Sequence, residues 1–205
     1  MSAKDHKQEE RKQFILDQVA AELKARVPEK LKSVAQTFAQ VYYANVSLDD
    51  LTETSLESLV ASVYGMWSFS LERASGQTKI RVYTEKREVK GTLVPQTIVE
   101  IVNDNMPFLV DSVTGAINSL GYSIHLVIHP VMQVERDKAH DLKTIFQPTP
   151  EGAKGNYESF IHCEILESSS PEKLKILEDE VTRALNDVKI SVEDWMPIRS
   201  VFKRL

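Results

Sequence analysis

The sequence lacks most of the features that mark secreted, membrane-spanning or nucleic-acid-binding proteins. A single cysteine, Cys163, stands among 205 residues, which excludes an internal disulfide and a cysteine-based zinc site. No apolar run approaches the roughly 18 residues that a bilayer-spanning helix needs. The 30 acidic residues outnumber the 25 basic ones, so nucleic acid is not an expected partner. The N-terminus mixes both charges without an apolar stretch, and we therefore expect a cytoplasmic protein with no membrane contact.

Glycine is also scarce, and its positions exclude the common phosphate-binding turns. None of the seven glycines belongs to a G-x-G-x-x-G or G-x-x-x-x-G-K pattern. Such a turn is needed because it lets backbone N–H groups at a helix start approach the phosphates of a nucleotide. No serine lies in a nucleophile-elbow sequence, and no pair of carboxylates is marked as acid and base. The sequence therefore predicts no catalytic residue and no cofactor within this segment.

The sequence does contain enough apolar material, 42% of its residues, for one or two globular domains. From about residue 8 to 74 the apolar residues are spaced by three and four, which predicts helices. A third helical tract is expected to begin at Ser47, and Gly76 is expected to close the segment. We therefore predict a helical N-terminal subdomain at residues 1–75.

From about residue 78 the pattern changes to short β-rich runs. These runs lie at residues 79–84, 97–102, 123–134 and 158–166. A helix is predicted at 107–120, a second begins at Ser170–Pro171, and a final tract should be kinked by Pro197. From residue 97 the order is strand, helix, strand, strand, helix, with the run at 79–84 as an extra strand. This is the element list of a ferredoxin-like α+β sandwich with an antiparallel sheet, which we assign to residues 76–205.

Two polar stretches are predicted to lie outside regular structure. Residues 138–157 contain two prolines and two glycines, which is typical of a loop between antiparallel strands. Residues 86–90 read KREVK, and this charge run is interpreted as a solvated connection.

Two motifs in the second half of the chain resemble one known family. Residues 99–113 read VEIVNDNMPFLVDSV, and residues 121–131 read GYSIHLVIHPV. The chain resembles, in both motifs, the N-terminal, ACT-like region of the large bacterial NAD-specific glutamate dehydrogenases. The tail VEDWMPIR at 192–199 is similar to the family as well, whereas the helical first 75 residues match it only loosely.

The resemblance implies a fragment of a much longer enzyme whose catalytic portion lies downstream and uses NAD. The family oxidises L-glutamate to 2-oxoglutarate and ammonia, and its ACT-like domains precede the catalytic portion. The resemblance thus implies a non-catalytic regulatory and assembly region, with the downstream portion as partner, a homo-oligomer and a possible amino-acid effector. Two alternatives remain open. One is a self-contained small metal-dependent hydrolase, and the other is a purely structural oligomerisation module.

The predicted junction between the second strand and the following helix is the strongest candidate for a ligand site, formed by Asn103, Asp104, Asn105 and Phe108. Free backbone N–H groups at a helix start can hold a carboxylate. The resemblance implies a ligand here, with its amine on Asn103 or Asp104 and its carboxylate near Phe108. Ligand-binding ACT domains commonly have glycine where this chain has Phe108. The alternative is that Asn103 or Asp104 caps the helix and Phe108 fills the core.

The histidines are candidates for an interface rather than for a metal site. His125 and His129 share a face of the predicted strand, but about 13 Å of strand separates them, which is too far for one ion. A pair of His125 with His162 is the one workable combination, and Cys163 should point the other way, into the core with Ile161 and Ile165. We therefore expect no metal. His125, His129 and His162 should line an open sheet face that packs on another domain or subunit, near Ile98, Glu100 and Val102.

Overall fold

The computed structural model describes residues 3–89, 91–146 and 156–202. Four helices and a 3-10 turn come first, and an antiparallel sheet with two further helices follows. The elements are α1 (Ala3–Ala25), the 3-10 turn Glu29–Leu31, α2 (Lys32–Tyr42), α3 (Leu48–Glu53), α4 (Leu56–Ser70), β1 (Lys79–Val89), β2 (Thr92–Asp104), α5 (Leu109–Ser119), β3 (Ile124–Ile128), β4 (Val131–Arg136), β5 (Leu142–Phe146), β6 (Asn156–Ile165) and α6 (Pro171–Phe202). No helix among these residues is both long and apolar enough to cross a membrane.

Serine side chains begin two of the N-terminal helices. The hydroxyl of Ser47 accepts a hydrogen bond from the backbone N–H of Asp50 at 3.1 Å, which starts α3 where the sequence predicts a helix. Ser55 forms the same bond with the N–H of Ser58 at 3.3 Å. This second cap divides the predicted third tract into α3 and α4.

The sheet is antiparallel throughout, which confirms the predicted α+β class. Its order is β1-β2-β6-β4-β5, and β3 pairs with β6 as well. β3 and β4 lie along the same edge of β6 and are separated at His129 and Pro130, because proline has no N–H to donate to a ladder. The predicted run at 123–134 therefore forms two strands, β3 and β4, which pair with β6 one after the other. The predicted extra strand at 79–84 belongs to β1, which pairs with β2.

Both stretches that were predicted to be irregular contain strand. β5 lies inside the expected loop 138–157, because Leu142 and Ile145 are buried against the N-terminal helices. Residues 86–89 belong to β1 and pair with residues 92–95 of β2, so the charge run is not a solvated connection. Arg87, within that run, is buried.

The C-terminal helix also differs from the prediction. The structure has one helix, α6, from Pro171 to Phe202 where the sequence suggests two tracts. Trp195 and Pro197 lie outside the residues whose side chains the structure describes.

The sheet is the middle of three layers, and its two faces pack against different helices. On the four-helix side, α1–α4 cover the sheet, and the ring of Phe38 contacts Trp67 and Phe160 edge-on, with centroids 5.4 and 5.5 Å apart. On the two-helix side, α5 and α6 cover the alternate residues of β2 and β6: Val99, Ile101, Ile161, Cys163 and Ile165. Because α1–α4 share one apolar cluster with the sheet, the division into domains at residues 75 and 76 stays a prediction.

Candidate functional site

The β2–α5 junction is shaped by Phe108. Its φ of 68° lies in the left-handed region, and its side chain is 66% exposed just before α5 begins at Leu109. No side chain caps this helix start. The expectations that Asn103 or Asp104 caps the helix and that Phe108 fills the core are therefore wrong. A glycine would adopt this conformation freely, whereas a side chain there costs about 1–2 kcal/mol.

The side chains of Asn103 and Asp104 are turned to the segment between α4 and β1. The Asn103 amide oxygen accepts a hydrogen bond from the Thr78 hydroxyl at 2.8 Å. The Asp104 carboxylate pairs with the Arg73 guanidinium and accepts the N–H of Gly76 at 3.0 Å. Gly76 has a φ of 77°, in the left-handed region that glycine adopts without strain. An amine ligand on Asp104 would have to compete with an ion pair that is already formed.

Four charged residues, Arg73, Asp104, Arg136 and Glu158, form what we call the linker clamp. Arg73 is 1% exposed and donates to Glu158 at 2.9 Å. Arg136 pairs with both oxygens of Glu158, at 2.7 and 2.8 Å, and also donates to the carbonyls of Ser70, Leu71 and His140. The clamp fixes the α4–β1 segment to the sheet and satisfies the polar groups it buries.

On the four-helix side, His162 is fully buried between two carboxylates. Its Nδ1 lies 3.1 Å from Glu100 Oε1, and its Nε2 lies 3.2 Å from Glu164 Oε1. Glu100 pairs in turn with Arg81, and Glu164 pairs with Arg87 at 2.9 Å. Arg81, Glu100, His162, Glu164 and Arg87 thus alternate in sign, and we call them the buried charge chain. The Ser62 hydroxyl of α4 lies 3.4 Å from His162 Nε2, so the chain faces the helical layer.

The two flanking carboxylates favour a charged imidazole at His162. Ionised carboxylates only accept hydrogen bonds, so both ring nitrogens must carry a proton when each faces one. Burial lowers the pKa of His162, but its hydrogen bonds to Glu100 and Glu164 act in the opposite direction, and the pKa is raised above 6.5. Burial raises the pKa of Glu100, yet His162 and Arg81 bring that pKa below its usual value of 4.5.

The other two histidines that were predicted at an interface, His125 and His129, are not part of the buried charge chain. His125 is exposed at a β-bulge between Ile124 and Leu126. His129 is half-buried, its Nε2 lies 2.5 Å from the Ser159 hydroxyl, and burial lowers its pKa. The expected neighbourhood of His125 with Ile98, Glu100 and Val102 is wrong, because β6 lies between β2 and β3.

No three His, Cys, Asp or Glu side chains are grouped to hold a metal ion in the described part of the chain. Cys163 lies in the core with Ile161 and Ile165 as predicted, and burial raises its thiol pKa to about 12.

Sequence reasoning did not identify the linker clamp or the buried charge chain. The signal was present as charge inside apolar strand runs, since Glu100 lies between Val99 and Ile101, and Glu164 between Cys163 and Ile165. A charged residue at an inward-facing strand position requires a buried partner. Their partners are Arg81 and Arg87 of β1, and the predicted strand at 79–84 contains Arg81 but ends before Arg87.

The antiparallel sheet with two helices on one face is the architecture of an ACT-like α+β domain. The model of the family "Glutamate dehydrogenase, ACT1 domain" matches residues 38–181, and the chain belongs to that family.

Two relatives carry the name NAD-specific glutamate dehydrogenase. The protein from Halomonas elongata is 31% identical over 193 residues, which are 94% of this chain and 12% of that protein. The protein from Pseudomonas aeruginosa is 32% identical over 168 residues, 82% of this chain and 10% of that protein. No solved structure matches. The family resemblance read from the sequence is confirmed, and neither a metal-dependent hydrolase nor a purely structural oligomerisation module gains support.

Proposed function

We propose that this chain is the non-catalytic regulatory and assembly region of an NAD-dependent glutamate dehydrogenase. The enzyme as a whole would oxidise L-glutamate to 2-oxoglutarate and ammonia and reduce NAD in the cytoplasm. The observation that carries the proposal is the family match over residues 38–181 together with the names of the two relatives. Because the chain spans only 12% and 10% of those relatives, the NAD site and the reaction would lie in the remainder.

The side-chain chemistry supports a non-catalytic role. The buried charged groups on the four-helix side are paired with one another, and the linker clamp engages backbone carbonyls. Such groups fix a fold, whereas catalytic groups need access to a substrate. The proposed role of this region is therefore binding and conformational coupling, and not chemistry.

An amino-acid effector at Asn103, Asp104, Asn105 and Phe108 is the second candidate function. The helix start after Phe108 has no side-chain cap, so its N–H groups are available to a carboxylate. Asn105 is exposed beside them. An effector would regulate the enzyme only if it binds one conformation more tightly than another, and exchange of Asp104 from Arg73 to the ligand amine would provide that difference.

A homo-oligomer is part of the proposal, and the histidines limit where its interface can lie. His162 is covered by α4 of the same chain, so a second subunit cannot reach it. His125 and His129 are the two that remain accessible for an interface.

The first test compares NADH formation from L-glutamate and NAD by this chain alone and by the full-length protein. We expect NADH from the full-length protein and none from the chain alone. NADH formation by the chain alone would contradict the assignment of a non-catalytic region. Absence of activity in the full-length protein would contradict the assignment to a dehydrogenase.

The effector is tested by thermal unfolding of the chain with amino acids and 2-oxoglutarate. A ligand present at 100 times its Kd adds about 2.7 kcal/mol to the free energy of unfolding. We expect one amino acid to raise Tm, and Asn105→Ala to reduce that rise. Asn118→Ala, an exposed asparagine near the other end of α5, is the matched control. No shift with any compound would leave assembly as the sole role.

A further inference from the structure

A small polar cavity, which we call the Gln96 cavity, lies between the C-terminal end of α3 and the sheet. Its volume is about 10 Å³, which is room for one group of the size of a water molecule. The buried side chains of Arg87, Gln96 and Glu164 line it from the sheet, and Thr54 and Leu126 line it beside them. The cavity therefore reaches one end of the buried charge chain.

The side chain of Gln96 is the feature that points to a ligand. It is fully buried, and neither its amide oxygen nor its amide nitrogen forms a hydrogen bond within the described part of the chain. Gln96 lies on the same face of β2 as Glu100, four residues further on, and it lines the cavity. An unpaired buried amide is unfavourable, so a group that bonds to it from the cavity stabilises the folded chain.

The lining of the Gln96 cavity carries an excess of negative charge. Its charged members are four carboxylates, one guanidinium and one imidazole: Asp50, Glu53, Glu88, Glu164, Arg87 and His125. Arg87 pairs with Glu164 at 2.9 Å and also with Glu85, so its charge is compensated within the protein. Burial raises the pKa of Glu164, but His162 and Arg87 hold that pKa below its usual value of 4.5. An ionised carboxylate therefore faces the cavity, which favours a cation there.

The hydrogen-bonding groups favour ammonium among small cations. Ammonium is about as large as a water molecule, carries a positive charge and donates hydrogen bonds tetrahedrally. The amide oxygen of Gln96 is one acceptor, and Glu164 provides Oε2, because its bonds to Arg87 and His162 both use Oε1. A water molecule would satisfy the amide without balancing the carboxylates. A divalent metal ion needs a group of ligands that the described residues do not form.

We propose that the Gln96 cavity binds one ammonium ion through the amide oxygen of Gln96 and the carboxylates of Glu164 and Asp50. The proposal rests on the proposed function, because that reaction releases ammonia, which is protonated to ammonium at neutral pH. The bound ion joins β2 and β6 to α3, so ammonium stabilises the position of α3 over the sheet. The region thereby responds to a product of the enzyme's catalytic portion.

The test is thermal unfolding of the chain in ammonium, sodium and potassium chloride at constant pH and equal ionic strength, so that screening is the same in each. We expect ammonium to raise Tm in a saturable way beyond either other salt. Gln96→Leu removes both unpaired amide groups at similar size, so it should fold in sodium chloride and lose at least about tenfold in apparent ammonium affinity. Gln133→Leu, at a buried glutamine of β4 that does not line the cavity, should keep the response.

A second pair of variants tests the negative charge. Asp50→Asn removes one carboxylate from the cavity at nearly constant shape and should weaken the apparent affinity for ammonium several-fold. Asp49→Asn is the matched control, since Asp49 is the exposed neighbour on α3 and does not line the cavity. Equal affinities in the two variants would overturn the assignment of the ion to this cavity.

Isotope-labelled ammonium locates the ion directly. At saturating ammonium, we expect magnetisation transfer by NMR from the ammonium protons to the methyl groups of Leu126, which line the cavity. No such transfer, or a Tm response that Gln96→Leu retains, would overturn the proposal.

The salts separate ammonium from the other occupants. Equal Tm values in ammonium and sodium chloride would assign the cavity to water, and an equal rise in potassium chloride would assign it to monovalent cations in general. Either result overturns the proposal. NADH formation by the full-length protein is measured separately, so loss of the dehydrogenase assignment is distinguishable from loss of the ammonium site.

Discussion

The two faces of the sheet are built from different chemistry, although they alternate along the same strands. On β2, Glu100 points to the four-helix side and its neighbour Ile101 points to the two-helix side. On β6, His162 and Ile161 divide in the same way. The four-helix side combines apolar packing with directional ion pairs, and the two-helix side packs α5 and α6 on the sheet through apolar side chains. Helices of the same chain therefore cover both faces, but ion pairs contribute to the buried contacts on the four-helix side alone among the described residues.

The difference has an energetic meaning. Apolar burial is non-directional and tolerates small changes in shape, whereas a buried charge that loses its partner is strongly unfavourable. The buried charge chain therefore makes the position of α4 over the sheet specific. A partner can bind to the two-helix side without breaking any ion pair of the buried charge chain.

The largest expected effect comes from breaking the charge chain. Glu100→Ala leaves Arg81 and His162 without their shared carboxylate and should lower the free energy of unfolding by about 3–5 kcal/mol. Urea denaturation of the chain measures it. Glu85→Ala is the control, since Glu85 is partly exposed and Arg87 keeps its pairing with Glu164 when Glu85 is removed, and it should cost less than about 1 kcal/mol. Equal losses would remove the distinction between a fully buried carboxylate and a partly exposed one.

The pH dependence of the free energy of unfolding should come from the four-helix side, through His162. The pKa of His162 is raised above its unfolded value of 6.5, so its contribution is complete below that pH and is lost as pH rises through the folded pKa. The groups that face it are Glu100, Glu164, Arg87, Ser62 and Tyr42, and burial holds the Tyr42 pKa well above 10.0.

The measurement is urea denaturation across neutral and alkaline pH. We expect a decline in stability with rising pH for the native chain. His162→Gln should be less stable below pH 6.5 and should lose that decline. If the stability of His162→Gln declines with rising pH as much as that of the native chain, the decline comes from another titratable group. At acid pH the sign reverses, because the pKa of Glu100 is lowered and its contribution is lost as pH falls through the folded pKa.

A conservative substitution on the two-helix side should change the free energy of unfolding by a smaller amount, and that amount should not depend on pH. Ile101→Val removes one buried methylene and should cost about 0.5–1.5 kcal/mol. The same denaturation series measures it. A pH-dependent loss in Ile101→Val would mean that the two faces are coupled through β2 and would break the comparison.

The smallest expected effect is a gain in stability. Phe108→Gly relieves the left-handed backbone and loses little packing, because the ring is mostly exposed. It should stabilise the chain alone by up to about 1 kcal/mol. Destabilisation of the chain alone would show that the ring already packs within it.

Local signals in the sequence were sufficient for much of the fold. Ser47 marked the start of α3, Gly121 with a φ of 83° marked the end of α5, and the β-rich run Thr97–Val102 marked β2. The family motif at 99–113 indicated the class of the domain. These features depend on residues close together along the chain, which is why they could be predicted.

What the sequence did not predict depends on distant residues. Arg87 looked solvated because nothing in 86–90 indicates that Glu164 lies across β2 to receive it. β5 looked like loop because its burial comes from α2, about a hundred residues earlier. The left-handed backbone of Phe108 was not predicted either, because large side chains rarely adopt a positive φ.

Hydrogen exchange of the 205-residue chain, alone and within the full-length protein, tests the contrast between the two sides most directly. We predict that α5 and the turns of α6 around residues 180–194 gain protection in the full-length protein, while α4 and the strands of the buried charge chain are equally protected in both. Unchanged protection at α5 and α6, or a gain confined to α1–α4, would contradict the account.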